Sequence, residues 1–449
     1  MTEANGTPSN ATPQFGRGFL KEFLFEKGYR NLNHGSFGTY PRPIRDVLHS
    51  FQDQAEARPD RFIRYEYPER VDESREVVAE VLNAPVETLV FVPNATTGVN
   101  TVLRNLVFQP GEKILYFATI YGACEKSVEY VTETTPAEAI KIQYTYPVSD
   151  DWLVTAFREA VQKEHADGNK VKIAIFDTVV SLPGVRMPFE RLTAACHELG
   201  VLSCVDGAHG IGHVEIDLGK LDCDFFVSNL HKWYFVPRGC AIFYVPVRNQ
   251  HLMRSTLPTS HGFVPKPKPG PKIINPLPPS KKSAFVTNYE FVGTIDNSPY
   301  LCVPAALKYR EALGGEAVIR DYCADLARKS GARVAELLGT RILENEEGTL
   351  GNCNFTNVLL PLKLQDVENL AKEAGKGELE TGEVGMLVRE FVINSGLKEH
   401  NTFMALIFYG QQWWVRLSAQ IYLEMADFEW ASGVLKDLCE RVMKGEFLQ

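Results

Sequence analysis

The sequence predicts an α/β fold: a large domain on a mainly parallel sheet of seven strands, followed by a smaller α+β domain. Three observations predict it. Short, nearly continuous apolar runs alternate with amphipathic stretches over residues 88–245, as expected of strands covered on both faces by crossover helices. After about residue 300 the pattern changes to long helices followed by strands. The chain has 449 residues, 45% hydrophobic and 23% charged, which suits packed domains and excludes disorder or coiled coil over most of its length.

The elements follow in order. The opening MTEANGTPSNATPQFG has no basic start and no apolar core, so residues 1–17 read as a disordered tail, not a secretion signal. Glu69–Leu82 is helical in pattern and precedes the first apolar strand, Thr88–Val92. Further strands are expected at Lys113–Phe117, Ala139–Gln143, Val171–Phe176, Val201–Val205, Phe225–Ser228 and Ala241–Val245. Helices are expected at Asp150–Lys163 and Phe189–Leu199, the latter stopped by Gly200. Residues 257–282 carry eight prolines and five lysines, which no regular element tolerates. That insert reads as a surface excursion or as a lid or subunit-contact loop. Helices at Pro304–Leu313 and Ala317–Leu338 open the second domain, and strands at Thr356–Pro361, Phe403–Tyr409 and Trp414–Ser418 complete it. Residues 373–385, rich in Gly and Glu, read as a linker before a helix.

Charge and cysteines narrow the function. A net charge of −9 argues against a general nucleic-acid binder. No apolar run reaches the 18 residues of a membrane span. Nine cysteines are scattered singly, with no CxxC pair, which reads as buried reduced thiols in the cytoplasm or the chemically similar nucleus. In that compartment the sequons at Asn5, Asn10, Asn94 and Asn354 are accidental.

The most informative stretch is Val205–Lys232. Asp206 ends an apolar strand, where open α/β sheets bind ligands; it is a functional group or a helix cap. His209 follows three residues later. Lys232 ends the next strand, between His231 and Trp233. An ammonium in such surroundings is costly, and a lowered pKa is how a lysine becomes a Schiff-base nucleophile. Pyridoxal phosphate would explain both residues: it needs a lysine for its aldehyde and a carboxylate for its protonated pyridine nitrogen. That pair is worth roughly 5 kcal/mol before desolvation at an effective dielectric of ~20. PNATTGVN, residues 93–100, is a strand–turn–helix whose free N–H groups could hold a phosphate, or simply a capped helix start. Dinucleotide, P-loop, GxSxG and HExxH motifs are absent, and His209 with His213 makes a poor metal site.

In order, NLNHGSFG (31–38), NATTGVN (94–100), VDGAHG (205–210), SNLHKW (228–233), FVGTID (291–296) and VRLSAQIY (415–422) resemble the class V aminotransferase-type enzymes of fold type I. The resemblance spans roughly residues 29–440 and is strongest to the isopenicillin-N-epimerase-like branch, among it the hercynylcysteine sulfoxide lyases of ergothioneine biosynthesis. It implies pyridoxal phosphate on Lys232, with Asp206 at the pyridine nitrogen and His209 at the 3′ oxygen. Ala95, Thr96, Asn229 and His231 would hold the phosphate. Thr294 would reach the partner's phosphate in a homodimer with shared sites. Arg416 would clamp the substrate carboxylate, beside Asn33 and His34. Tyr121 would stack on the ring, or else it is a core aromatic. The implied division is 18–48 joining the small domain to the site, 49–303 for the large domain and 304–449 for the small one.

The resemblance also implies a reaction: carbon–sulfur β-lysis of hercynylcysteine sulfoxide, with Lys232 removing the α-proton and Tyr121 serving as acid toward the departing sulfur. The substrate's trimethylammonium suits aromatic faces. Tyr65, Tyr67, Trp413 and Trp414 are candidates, with ordinary core packing the alternative, and Arg61 and Arg64 meet substrate or solvent. An epimerase or aminotransferase on the same scaffold remains open. A non-catalytic binder would need neither Lys232 nor Asp206. A cysteine desulfurase or selenocysteine lyase is disfavoured, because no cysteine lies between Gly375 and Trp414, where its mobile loop would be, and Cys353 reads as buried.

Overall fold

The computed structural model describes residues 14–271 and 273–449. The first thirteen residues of the expected tail, and Lys272 of the insert, lie outside the described residues.

The large sheet has seven strands: β1 Leu89–Val92, β2 Glu112–Phe117, β3 Glu138–Ile142, β4 Lys170–Asp177, β5 Leu202–Asp206, β6 Phe225–Asn229 and β7 Ala241–Tyr244. Their order is β1-β7-β6-β5-β4-β2-β3. Strands β3, β2, β4, β5 and β6 run parallel, while β7 is antiparallel to both its neighbours. Alternate side chains of each strand enter different cores, which explains the continuous apolar runs. Ile114, Ile173, Ile175, Cys204 and Val227 pack on one face with Val99, Val102 and Val128 from helices Ala95–Asn105 and Gly122–Thr134. Leu115, Phe176, Val205 and Phe226 pack on the other with Phe157, Val161 and Leu192 from helices Asp150–Ala166 and Phe189–Leu199.

Topology locates the ligand crevice. The chain leaves β2 for β3 at one edge, then returns past β2 to lay down β4, β5 and β6 on its other side. The switch point therefore falls between β2 and β4, where doubly wound sheets bind their ligands. Tyr121 follows β2, and Asp177 and Asp206 end β4 and β5.

A second, antiparallel sheet has the order β8-β10-β9, with β8 Phe355–Leu359, β9 Ala405–Tyr409 and β10 Gln412–Ser418. Helices Gly315–Leu338, Thr381–His400 and Met425–Val442 cover it around a separate core that includes Val334, Val392, Val415 and Leu435. Phe23 and Leu32 of the N-terminal segment belong to this core, and the Ser418 N–H donates to the Leu32 carbonyl at 2.8 Å. The segment 373–385 is a linker only at its centre. Helix Leu364–Glu373 runs into its start, and Glu380 with Glu383 forms a capping box that begins the next helix at Thr381. The insert 257–282 forms no helix or strand over its described residues. Its last residue, Lys282, pairs with Asp72 of helix Tyr67–Val81 at 2.6 Å.

Candidate active site

Lys232 sits in a single turn of helix, Leu230–Trp233, directly after β6. Its Nζ lies 3.1 Å from His209 Nε2, and the Trp233 indole N–H donates to His209 Nδ1 at 3.1 Å. This fixes the protons. An indole only donates, so Nδ1 carries none. Burial drives the His209 pKa well below its ordinary value, so the ring is neutral and its proton is on Nε2. An Nε2–H pointed at Nζ needs a lone pair there, which only an uncharged amine has. Burial, and then the charge of Arg416, draw the Lys232 ammonium down to about 8, in agreement with that geometry.

The backbone on the other side is equally close. Gly38 has φ +64°, and a Cβ there would stand 1.8 Å from the His231 carbonyl oxygen and 2.7 Å from Lys232 Cα. Only glycine fits this contact between the segment 33–38 and the lysine turn. Gly38→Ala should therefore lower Tm and activity together, by a shift of the order of 3 kcal/mol for backbone strain plus overlap. Thermal melts and turnover of the purified variant check this, and a Tm unchanged from the parent would contradict the contact.

Asp206 and Asp177 are cross-strand partners at the ends of β5 and β4, both buried. Asp206 accepts from the Ala208 N–H at 2.9 Å and from the Cys124 thiol at 3.5 Å. Burial raises its pKa, and among the described residues no cation hydrogen-bonds to it. A carboxylate so placed fits a cationic pyridine nitrogen. Cys124 lies in the first turn of Gly122–Thr134, so its contact brings Tyr121, the residue before that helix, to the same end of the sheet. Tyr121 is 48% exposed, so it is not a core aromatic. Helix Ala95–Asn105 begins beside β6. The Ala95 N–H donates to Asn229 Oδ1 and the Thr97 N–H to Asn94 Oδ1, each at 2.9 Å. Of the first-turn amides, Thr96 is then the one left for an anion. His231 Nδ1 donates to the Cys240 carbonyl at 2.9 Å, and burial lowers its pKa to about 4.

Arg416 projects from β10 toward the large sheet, and it is 1% exposed. Nη1 donates to the Ser181 carbonyl at 2.6 Å; Nη2 donates to Asn33 Oδ1 at 2.7 Å and Ser36 Oγ at 2.8 Å. Its plane lies 4.4 Å over Phe355, and Nε has no partner. Gly184 admits it: a Cβ there would be 2.7 Å from Arg416 Cδ. No carboxylate compensates this charge among the described residues. A buried cation without its counter-ion is what a carboxylate-binding site presents before substrate arrives.

Trp413 departs from the sequence expectation, and the other candidate residues take the following places. Trp413 is fully buried on the face of β10 opposite Arg416, in the small-domain core, and its indole N–H donates to the Gly385 carbonyl at 3.0 Å. It has no face for a substrate; strand parity puts it one residue out of phase with Arg416 and Trp414. Tyr67 and Trp414 are core residues, whereas Tyr65 is 60% exposed. Arg61 and Arg64 pair locally with Glu66 and Asp60. His34 is buried and neutral, its pKa lowered to about 3, with Nδ1 2.9 Å from the Tyr422 hydroxyl and Nε2 unpaired. Thr294 is on an exposed loop away from β6 in sequence and pairing. Cys353 is buried, its thiol pushed up to about 12. His213 stacks on Trp233 at 4.1 Å and has both nitrogens occupied, by the His209 carbonyl and the Asn354 N–H. Asp177, Ser36 and Ser181 were not anticipated. Only Asp177 carried a signal, as an acid ending an apolar strand, the feature that marks Asp206.

Residues 58–383 match the family described as aminotransferase class-V. The chain belongs to that family. It is 37% identical to the L-cysteine desulfhydrase-like protein lolT1 of Epichloe uncinata, over 97% of this chain and 98% of the relative. It is 26% identical to the hercynylcysteine sulfoxide lyase of Schizosaccharomyces pombe, over 95% and 98%. The cystine C–S lyase C-DES, solved with its product cysteine persulfide, shares the fold with a TM-score of 0.71 at 16% identity, covering 92% of this chain and 98% of that one. The class V chain is thus a fold type I, pyridoxal-phosphate-dependent enzyme. Among the described residues, no helix is long and apolar enough to cross a membrane.

Proposed function

We propose that this enzyme cleaves the Cβ–S bond of a cysteine-derived α-amino acid, releasing the sulfur group with pyruvate and ammonia, and that hercynylcysteine sulfoxide is its substrate. The observation that carries the reaction class is the Lys232 amine, held 3.1 Å from His209 and made available in its uncharged form near pH 8 by burial and the Arg416 charge. Pyridoxal phosphate supplies the electron sink that makes the substrate α-proton acidic. Asp206 would hold its pyridine nitrogen, and His209 would offer its Nε2 proton to the 3′ oxygen. Thr96, Asn229 and His231 hold the phosphate; Ala95 joins them only by releasing Asn229. Arg416, with Asn33 and His34 behind it, orients the substrate carboxylate. Lys232 Nζ takes the α-proton. The Tyr121 hydroxyl gives a proton to the departing sulfur.

The fate of the sulfur follows from the thiols. All nine cysteines are buried, so none can accept sulfur in transit. The product leaves free, and a sulfenate would be reduced by an external thiol. L-Cysteine is a second reading of the same site, favoured by the name of the 37% identical relative. The withdrawal of Trp413 leaves Tyr65 as the exposed aromatic for a trimethylammonium. In a homodimer, Thr294 would meet the partner's phosphate. The buried thiols suit the cytoplasm.

Purified enzyme assayed on hercynylcysteine sulfoxide and on L-cysteine, following pyruvate, tests the proposal. Pyruvate from the sulfoxide at the higher kcat/KM supports it, and a preference for cysteine selects the second reading. A cofactor band without pyruvate from either redirects the reading to an epimerase or aminotransferase. Tyr121→Phe should keep the bound-cofactor absorbance and lower kcat by roughly 10²-fold, the lower end for a lost general acid. Unchanged turnover removes Tyr121 from that role.

A further inference from the structure

Asp177 is a buried titratable group beside Asp206 that the reaction above does not use. It ends β4 at the topological switch point, and its Cα is paired with that of Asp206. Paired residues on parallel strands project to the same face, so the two carboxyls lie side by side. Asp177 is 4% exposed and receives no hydrogen bond among the described residues. A carboxyl buried with no donor is expensive unless something absent from the protein chain meets it. The same face carries Cys124, whose thiol is pushed up by burial and then by both carboxylates. The pyridine nitrogen placed at Asp206 therefore has Asp177 beside it.

We propose that Asp177 is a positioning residue that joins Asp206 in a two-carboxylate seat for the cofactor's pyridine nitrogen. This rests on the pyridoxal phosphate reading of Asp206. Without cofactor, two buried carboxyls at this spacing share one proton, because both cannot ionise together. When the cationic ring nitrogen is seated, that proton leaves to solvent and both carboxylates face the cation. The other groups facing Asp177 are Lys232 from the turn after β6, Cys124 from its helix, and Tyr144 and Tyr146 from the loop after β3. Of these only Lys232 titrates between pH 6 and pH 8.5; because Asp177 raises its pKa, loss of Asp177 favours cofactor capture by the variant at low pH and cannot weaken binding at pH 8.5.

The sign of the effect is fixed. Release of the shared proton on binding makes affinity rise with pH through the pair's upper titration. Asp177→Asn keeps the shape and cannot ionise, so it lacks that rise. The test is the dissociation constant of pyridoxal phosphate for stripped and reloaded full-length enzyme, from pH 6 to pH 8.5, in the parent, Asp177→Asn and Asp177→Glu. The expected result is near-equal affinity at pH 6, about tenfold weaker binding by Asp177→Asn at pH 8.5, and partial recovery in Asp177→Glu. In the cofactor-free protein, Asp177→Asn should raise Tm more at pH 8 than at pH 5, because the raised carboxyl pKa costs stability as pH increases. A parent-to-variant affinity ratio that is constant across pH overturns the proposal, whatever the variant's stability. A parent enzyme that forms no cofactor band at any pH overturns the cofactor reading instead.

Discussion

Lys232→Ala is expected to fold, to lose the bound-cofactor band, and to reduce pyruvate formation by at least roughly 10³-fold, the scale of losing a nucleophile and a general base together. The pH dependence of the parent enzyme identifies the cause. A neutral amine is needed to capture the cofactor covalently, and burial with the Arg416 charge holds the Lys232 pKa at about 8 rather than 10.5. The rate of capture by cofactor-free enzyme should rise with pH and level off just above 8; a rise continuing to 10 would contradict the geometry with His209. Stability should rise with pH as well. Between pH 8 and 10.5 the native state binds fewer protons than the unfolded chain, so the penalty for burying this amine fades as pH increases. Lys232→Met should accordingly stabilise the cofactor-free protein at pH 7, by at most roughly 3 kcal/mol at 1.36 kcal/mol per pKa unit, and by less at pH 10. Urea unfolding at the two pH values measures this.

What the sequence revealed of this site depended on how local the signal was. Asp206, His209 and Lys232 are legible because each sits at or within three residues of the end of an apolar strand, and strand ends are set by local pattern. Asp177 has the same signal at the end of VKIAIFD, and was missed for want of a matching partner such as His209 offered Asp206. The strands of both sheets were found within one or two residues, whereas helices Arg42–Ala57, Gly122–Thr134 and Met425–Val442 were not delineated. The parity of β10 was readable and unused: Trp413 and Arg416 are three apart, hence on opposite faces. The surroundings of Arg416 could not be read at all. Asn33 and Ser36 reach it across 383 and 380 positions of sequence, and Gly184 clears its path from a third element. Such contacts are created by the docking of the two sheets, which no local periodicity encodes.

Arg416→Lys should lower kcat/KM by roughly 10²–10³-fold, about 3–4 kcal/mol, while leaving the cofactor band intact. Among the described residues no carboxylate pairs with its charge. The guanidinium is fixed by Ser181, Asn33 and Ser36, all neutral, and so keeps its full charge for an incoming carboxylate. Lysine cannot reproduce the planar donor set, and its point charge would sit differently over Phe355. The loss should vanish for an amine substrate lacking the carboxylate, such as cysteamine, which the parent should handle as poorly as the variant. Arg416→Gln adds a test that joins both residues. The Arg416 charge is one of the two causes that lower the Lys232 pKa, so removing it should move the pH midpoint of cofactor capture upward from about 8. Burial still lowers it, so the midpoint should stay below 10.5. A midpoint that does not move would mean that the two charges do not sense each other, and that Arg416 and Lys232 do not face a common substrate.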